Sequence, residues 1–421
     1  MMNITIYLGP RTGSSVDASH IEKGNPGVGG TPFCMLELAV YLHDTRRYNV
    51  TILAVREYRL KQGIRFFQIE RDSDICNVVE ELKTDILILS QFNNRNLEVK
   101  IAKLKCKVVI WSHNYIFSHF CNFITNTPQI VCNVFVGKQL YDRYIDDDVI
   151  KKSTFIYNMY SDKFPDIKRE DDHKTVVYMG ALIPGKGFLE LCSIWKKVLN
   201  RIPEAKLLVM GSGKLYGEAE LGKLGIASTK YEQLLEKYIL DTQGNIIPSV
   251  KFLGVVGEGK EEIFRKASVG IVNPSGRTET FGMGVVEMGE ARLPVVTIGK
   301  NGYFDTVQSG KSGILSKSLD TMADDIVKLL TDHSLNKKMG DEAKRNNQRF
   351  LPSVIGPQWD VLLEDIYSDT LKFEILKPSR PYSNNFKWIR ICISKIRFGL
   401  GIRYIPSMIK IESYLVKLLY K

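Results

Sequence analysis

The sequence predicts an α/β protein made of two Rossmann-like halves facing across a cleft, followed by a basic helical extension. Three observations carry this. Short apolar runs alternate with helical patterns from residue 3 onward. The alternation stops at a charged stretch, 161–174, and then starts again. The length, 421 residues with 44% hydrophobic content, exceeds one ordinary domain and supports full-sized cores.

The elements follow in order. "NITIYLG" reads as a strand, "GNPGVGGT" (24–31) as a glycine loop, and "PFCMLELAVYLHDT" as a helix. "YNVTILAV", "IRFFQI", "DILILS", "CKVVIWS" and "IVCNVFV" read as further strands, with "DICNVVEELKT" and "LEVKIAKLK" as helices between some of them. After the break, "TVVYMGAL", "KLLVMGSG", "VKFLGVV", "VGIVNPS" and "LPVVTIG" are strands. "FLELCSIWKKVLNRI", "YEQLLEKYIL", "KEEIFRKA" and "GVVEMGEAR" are helices. The predicted organisation is an N-terminal Rossmann-like domain over 1–165 and a second Rossmann-like, ligand-binding domain over 174–350. A return helix at 351–376 packs toward the first domain, and a tail covers 377–421. Open sheets of this kind put ligands beyond the carboxyl ends of their strands.

Charge narrows the function. Nine of the eleven net positive charges fall in 377–421, where ten Lys/Arg accompany one acid, Glu412. A nucleic-acid enzyme would carry its positive charge on the body, near its site. The seven cysteines are scattered without a C-x-x-C pair, as in a reducing compartment. The start, "MMNITIYLGPRTG", lacks the features of a signal peptide, and no run is long enough to span a bilayer. "YIDDDVI" (144–150) contains D-x-D, but reads as a solvated turn, so no metal site is expected.

The chemistry concentrates in "RTETFGMGVVEMGEARLPVV" (277–296). Glu279 precedes a helix, and Glu287 falls about one and a half turns inside it. Gly282 and Gly284 are costly in a helix, which suggests close backbone approach of a ligand to the helix N-terminus. Lys186, between two glycines in "GALIPGKGFLEL" (180–191), is placed to meet phosphate charge. His113 ends the strand in "VIWSHN".

Taken in order, "GKGF", "VMGSG", "FLGVV", "NPS" and P-S-x-x-x-E-T-F-G-x-x-x-x-E resemble the C-terminal half of family 4 glycosyltransferases. These are retaining GT-B enzymes that use nucleotide sugars, and the resemblance is close over 174–350. It implies that Glu287 holds ribose hydroxyls. Glu279 and the amides of Thr280, Phe281, Gly282 and Met283 would hold the donor sugar, and Lys186 the diphosphate. His113 resembles the family's active-site histidine, and Gly29 and Gly30 resemble its phosphate- and acceptor-facing loop. "FIYNMYSDKF" (155–164) resembles the segment before the domain crossover. One departure stands out: the family usually has an arginine after the glycine at 180, and here the residue is Ala181. Arg277 is the candidate replacement. The family implies no resident cofactor, a UDP- or GDP-linked donor sugar, and leaving-phosphate neutralisation by Lys186 and helix N-termini without metal. The other readings are a GT-B sugar-nucleotide epimerase and an inactive GT-B scaffold that binds a membrane partner.

In the tail, "FKWIRICISKIRF" (386–398) places Phe386, Trp388, Ile389, Cys392, Ile393 and Ile396 on one side of a helix. Lys387, Arg390, Ser394 and Arg397 fall on the other. "SMIKIESYLVKLLYK" (407–421) does the same more loosely, grouping Lys410, Lys417 and Lys421. A basic amphipathic tail suits an anionic membrane surface. The expectation is a peripheral enzyme on the cytoplasmic face with a lipid-linked or glycan acceptor, as in surface-polysaccharide assembly.

Overall fold

The computed structural model describes residues 1–164, 167–214, 220–257 and 259–419. Residues 165–166 of the charged break and Lys421 of the tail lie outside the described residues. The chain forms two compact units. Unit 1 is Met1–Ser161 with Phe350–Lys421, and unit 2 is Asp162–Arg349.

The strands of unit 1 are β1 (Met2–Tyr7), β2 (Val16–Ala18), β3 (Tyr48–Ala54), β4 (Tyr58–Leu60), β5 (Arg65–Gln68), β6 (Ile86–Ser90), β7 (Lys107–Ser112), β8 (Ile130–Phe135) and β9 (Ser153–Phe155). Seven form one parallel sheet in the order β5-β3-β1-β6-β7-β8-β9, and β2 pairs with β4 apart from it. Unit 2 holds β10 (Thr175–Met179), β11 (Lys206–Met210), β12 (Val250–Gly254), β13 (Val269–Ile271), β14 (Val295–Ile298) and β15 (Gly313–Ser316). Their order, β12-β11-β10-β13-β14-β15, is that of a doubly wound Rossmann sheet. Each sheet reverses its winding once, between β1 and β6 and between β10 and β13.

Alternation along the strands covers both faces of the second sheet. Val176 and Tyr178 join Phe188, Leu191 and Trp195 in one core. Val177 joins Met210, Phe264 and Met288 in the other. The short strands β2, β4, β9 and β15 were not among the predicted runs, because none of them lies in a clear apolar run such as those around β13 and β14.

The charged break is not a free linker. Arg169 donates to the carbonyls of Arg292 and Ala267, each at 2.9 Å, and to Asn336 Oδ1 at 2.9 Å. Asp162 pairs with Lys344 at 3.3 Å, and Phe164 meets Phe264 edge to face. The charges of this stretch serve packing within unit 2.

After unit 2 the helix Pro352–Tyr367 returns to unit 1. Trp359 packs on Trp111 with ring centroids 4.7 Å apart. Asp360 accepts from the hydroxyls of Tyr41 and Tyr48 at 2.8 and 2.9 Å and pairs with Arg47.

The tail forms a helix, Lys387–Ser394, a π turn, Lys395–Gly399, and a helix, Met408–Leu419. The two sides predicted for 386–398 are present, and the basic one faces the protein. Lys387, Arg390 and Arg397 are buried, while Phe386 and Trp388 are exposed. The aspartate run corrects the solvated-turn reading for the same reason: Asp146 and Asp147 are buried and receive the tail. Met408 N–H donates to Asp146 at 2.6 Å, Ser407 to Asp147 at 2.5 Å, and Arg397 to Asp148 at 2.5 Å.

Candidate active site

Two loops flank the switch point of the second sheet, one after β10 and one after β13. In the first, the Tyr178 hydroxyl donates to Lys186 O at 2.9 Å and pins the turn. Gly187 lies at φ 70°, and a Cβ there would sit 2.4 Å from Ser275 N. Only glycine lets the two loops meet so closely, and that contact sets Lys186 beside the second loop.

In that second loop, Lys186 Nζ lies 3.1 Å from Glu279 Oε2. The same oxygen accepts from Asn273 Nδ2 at 3.2 Å. Asn273 also holds the loop by donating to Arg277 O at 2.7 Å. Both members of the Lys186–Glu279 pair are mostly buried yet keep some exposure, so the site is desolvated but reachable. Thr280, Phe281 and Gly282 are buried, and Met283 is partly exposed.

The helix Met283–Glu290 begins at Gly282, whose φ is 94°. The two glycines prove to have separate uses. Gly282 makes the left-handed turn into the helix. Gly284 lets the helix approach the sheet: a Cβ there would sit 3.1 Å from Met179 Cε and from Val272 Cγ1. Its role is packing, which corrects the reading of Gly284 as room for a ligand.

Glu287 is on this helix, and Lys260 Nζ lies 2.8 Å from its Oε1. Lys260 is the first residue of the helix Lys260–Lys266 after β12. Sequence reasoning missed it, although in "GEGKEE" a lysine follows a glycine just at a helix start, as in "PGKG". Arg277, the candidate replacement for the missing arginine, is engaged within unit 2. It is exposed and pairs with Glu190 on the helix Phe188–Leu199. Gly276 and Thr278 on either side have φ of 62° and 60°, so the backbone turns sharply at this point. Ala181, where the family carries arginine, is buried.

The remaining predicted residues belong to unit 1. His113 follows β7 directly and is buried beside Trp111, with ring centroids 4.5 Å apart. Burial pushes its imidazole down to about 3, so the ring is neutral at physiological pH. Its backbone N–H donates to Gln91 Oε1 at 3.2 Å. Gly29 caps the helix Gly30–Asp44. The loop before it is shaped by Asn25, whose Oδ1 accepts from Gly27 N and Val28 N at 3.0 and 2.8 Å.

Unit 2 therefore presents two lysine–carboxylate pairs at the end of one sheet. Such an arrangement can exchange an internal carboxylate for a phosphate on each lysine, and lysine for hydroxyl groups on each carboxylate.

Residues 160–346 match the family model described as Glycosyl transferases group 1. Over 354 residues the chain is 23% identical to YtcC of Bacillus subtilis strain 168, covering 76% of this chain and 84% of that one. Over 205 residues it is 28% identical to the capsular polysaccharide biosynthesis glycosyltransferase CapM of Staphylococcus aureus, covering 48% of each. HepE of Anabaena, solved in complex with UDP and glucose, superposes with a TM-score of 0.63 at 16% identity, over 87% of this chain and 100% of that one. Sucrose-phosphate synthase of Thermosynechococcus elongatus superposes with a TM-score of 0.62 at 14% identity, over 88% and 100%. The structural likenesses establish the fold. Most of unit 2 is thus similar to Glycosyl transferases group 1, and the chain has the fold of GT-B glycosyltransferase structures.

Proposed function

We propose that the protein is a retaining, metal-independent hexosyltransferase of glycosyltransferase family 4. It would move a sugar from a nucleoside diphosphate to a hydroxyl of a lipid-linked or polysaccharide acceptor at the cytoplasmic face of the cell membrane. The observation that carries this is the Lys186–Glu279 pair at the switch point, with Glu287 on the adjoining helix. In the reaction, the bond between the anomeric carbon and a phosphate oxygen breaks. Lys186 would leave Glu279 for the diphosphate, which gathers negative charge as it departs. Glu279, released from that pair, would accept from sugar hydroxyls together with the amides of Thr280 to Met283. Glu287 would accept from ribose. His113, Gly29 and Gly30 enter as the unit 1 residues that the family resemblance ties to the same reaction. A neutral His113 can donate one hydrogen bond to the sugar without adding charge. The UDP bound by HepE supports a uridine donor, and the name of CapM supports a surface-polysaccharide acceptor.

The test is release of nucleoside diphosphate from a panel of UDP- and GDP-sugars, with and without lipid-linked acceptor. Glu287→Ala should weaken donor binding by about 1.5–3 kcal/mol in calorimetry, the value of a charge-assisted hydrogen bond, with the fold intact. Glu279→Ala should chiefly lower turnover. Unaltered donor affinity in the Glu287 variant removes the ribose assignment. Turnover should persist in EDTA. Its loss on chelation, restored by manganese or magnesium, would contradict the metal-independent mechanism. Donor binding without turnover on any acceptor would favour the inactive scaffold, the reading to which Ala181 points.

A further inference from the structure

The tail displays the face that an amphipathic helix ordinarily hides. Three of its cations are spent inside unit 1. Lys387 Nζ pairs with Asp142 at 2.8 Å and donates to Gln139 Oε1 at 2.8 Å. Arg390 is 0% exposed, pairs with Glu412 and donates to Arg143 O at 2.8 Å. Arg397 donates to Ile405 O at 2.7 Å and pairs with Asp148. A helix held this way turns its apolar side outward. Phe386 is 61% exposed, Trp388 57%, and Tyr404 87%. Farther on, Leu415 and Leu418 are exposed near the end of the last helix. Nothing among the described residues covers these side chains.

The charges around this surface indicate its partner. Lys395, Arg403 and Lys417 are exposed among the apolar residues. The one acid of 377–421, Glu412, is tied to Arg143 at 2.6 Å and to Arg390. The displayed surface of 386–418 thus carries apolar groups and positive charge with no exposed carboxylate. A second copy would bring like charges together, whereas an anionic bilayer offers hydrocarbon and phosphate in the matching order. No described helix is long and apolar enough to cross a membrane.

We propose that this surface docks the protein on an anionic phospholipid bilayer with its apolar side inserted. Buried ion pairs hold the tail to unit 1, and Phe386, Trp388 and Tyr404 enter the interfacial layer. Lys395, Arg403 and Lys417 then meet the headgroups. This rests on the membrane-associated reading above and deepens it: attachment is through the apolar side, and the three buried cations act as a latch instead of as lipid ligands.

The protein contains its own reporter. Of its four tryptophans, Trp111, Trp195 and Trp359 are buried and only Trp388 is exposed. The full chain is mixed with vesicles of phosphatidylglycerol and phosphatidylcholine, or of phosphatidylcholine alone, at low and high salt. Sedimentation reports binding, while the emission shift and quenching by brominated acyl chains report insertion. The expected result is sedimentation with the anionic vesicles, a blue shift, and quenching. Trp388→Phe should keep binding and lose both optical signals. Phe386→Glu with Trp388→Glu, both at exposed positions, should lower binding at least tenfold without changing thermal stability. Lys395→Gln and Arg403→Gln should each lower it about fivefold, near 1 kcal/mol per charge. Sedimentation with unshifted, unquenched emission overturns the insertion claim and leaves the membrane reading standing. No sedimentation overturns both. Dimers in lipid-free solution that Trp388→Glu abolishes would give the surface to a second copy and overturn the proposal.

Discussion

Glu290 is fully buried three residues beyond Glu287 on the same helix. Burial raises its carboxyl from the ordinary 4.5 to about 7, with Asp162 adding to the rise and Lys344 opposing it. A carboxyl that is harder to ionise in the folded state favours folding at low pH. Its contribution is full below about 4.5 and is lost as pH rises through 7. Glu290→Gln should therefore flatten the fall in stability between pH 5 and 8, and stabilise the protein at pH 8 by at most about 3 kcal/mol. Urea denaturation at several pH values checks this, and parallel profiles for the two proteins would refute it. Lys260 is the other residue to change. It neutralises Glu287 in a half-buried site, so Lys260→Met should weaken donor binding, by less than Glu287→Ala does. Tighter binding in calorimetry would show instead that Lys260 competes with the donor. Glu279, Glu287 and Lys186 stood out in the sequence as candidates through the order of several loop–helix motifs, while the meeting of Lys186 with Glu279 across the chain was not legible. Glu290 did not stand out, because its perturbation comes first from burial, to which Asp162, far away in the chain, adds.

At the scale of elements, periodicity identified which residues share a side and failed to say which side faces inward. In the tail, the apolar and basic sides of 386–398 were read correctly, yet the basic one is buried. The deciding partners, Asp142, Asp146 and Asp148, lie far earlier in the chain, where a run of acids looks like a solvated turn. Buried cations facing buried carboxylates satisfy each other's desolvation, a balance that no local pattern reveals. The return helix Pro352–Tyr367 makes a related point. Asp360 is buried on it as the acceptor for two tyrosine hydroxyls from the first stretch of the chain. Asp360→Ala leaves Tyr48, itself buried, without that acceptor. A loss of about 2 kcal/mol or more is expected, seen as a lower urea midpoint with an unchanged slope. An unmoved midpoint would mean that this helix is held by its apolar contacts alone.

Over the whole molecule, the restart of the βα pattern revealed two halves, and the sheet order is what such a pattern implies. The boundary was less legible. Unit 2 begins at Asp162, inside what reads as a charged break, because Asp162, Phe164 and Arg169 all find their partners in unit 2. Unit 2 is one continuous stretch, whereas unit 1 is assembled from two stretches separated by the whole of unit 2. A fragment of residues 162–349 should accordingly unfold cooperatively by itself. Residues 1–161 alone should not, since Trp111 and Tyr48 lose the cover of Trp359 and Asp360. Near-ultraviolet circular dichroism of the two fragments decides this, and a native-like, cooperative 1–161 would contradict it. The same arrangement orders events on the ribosome. The first 161 residues emerge early and must wait for the return helix until all of unit 2 has been made. At about 5–20 residues per second that wait is roughly 10–40 s. Throughout it, the apolar surface around Trp111 is a natural client for a chaperone.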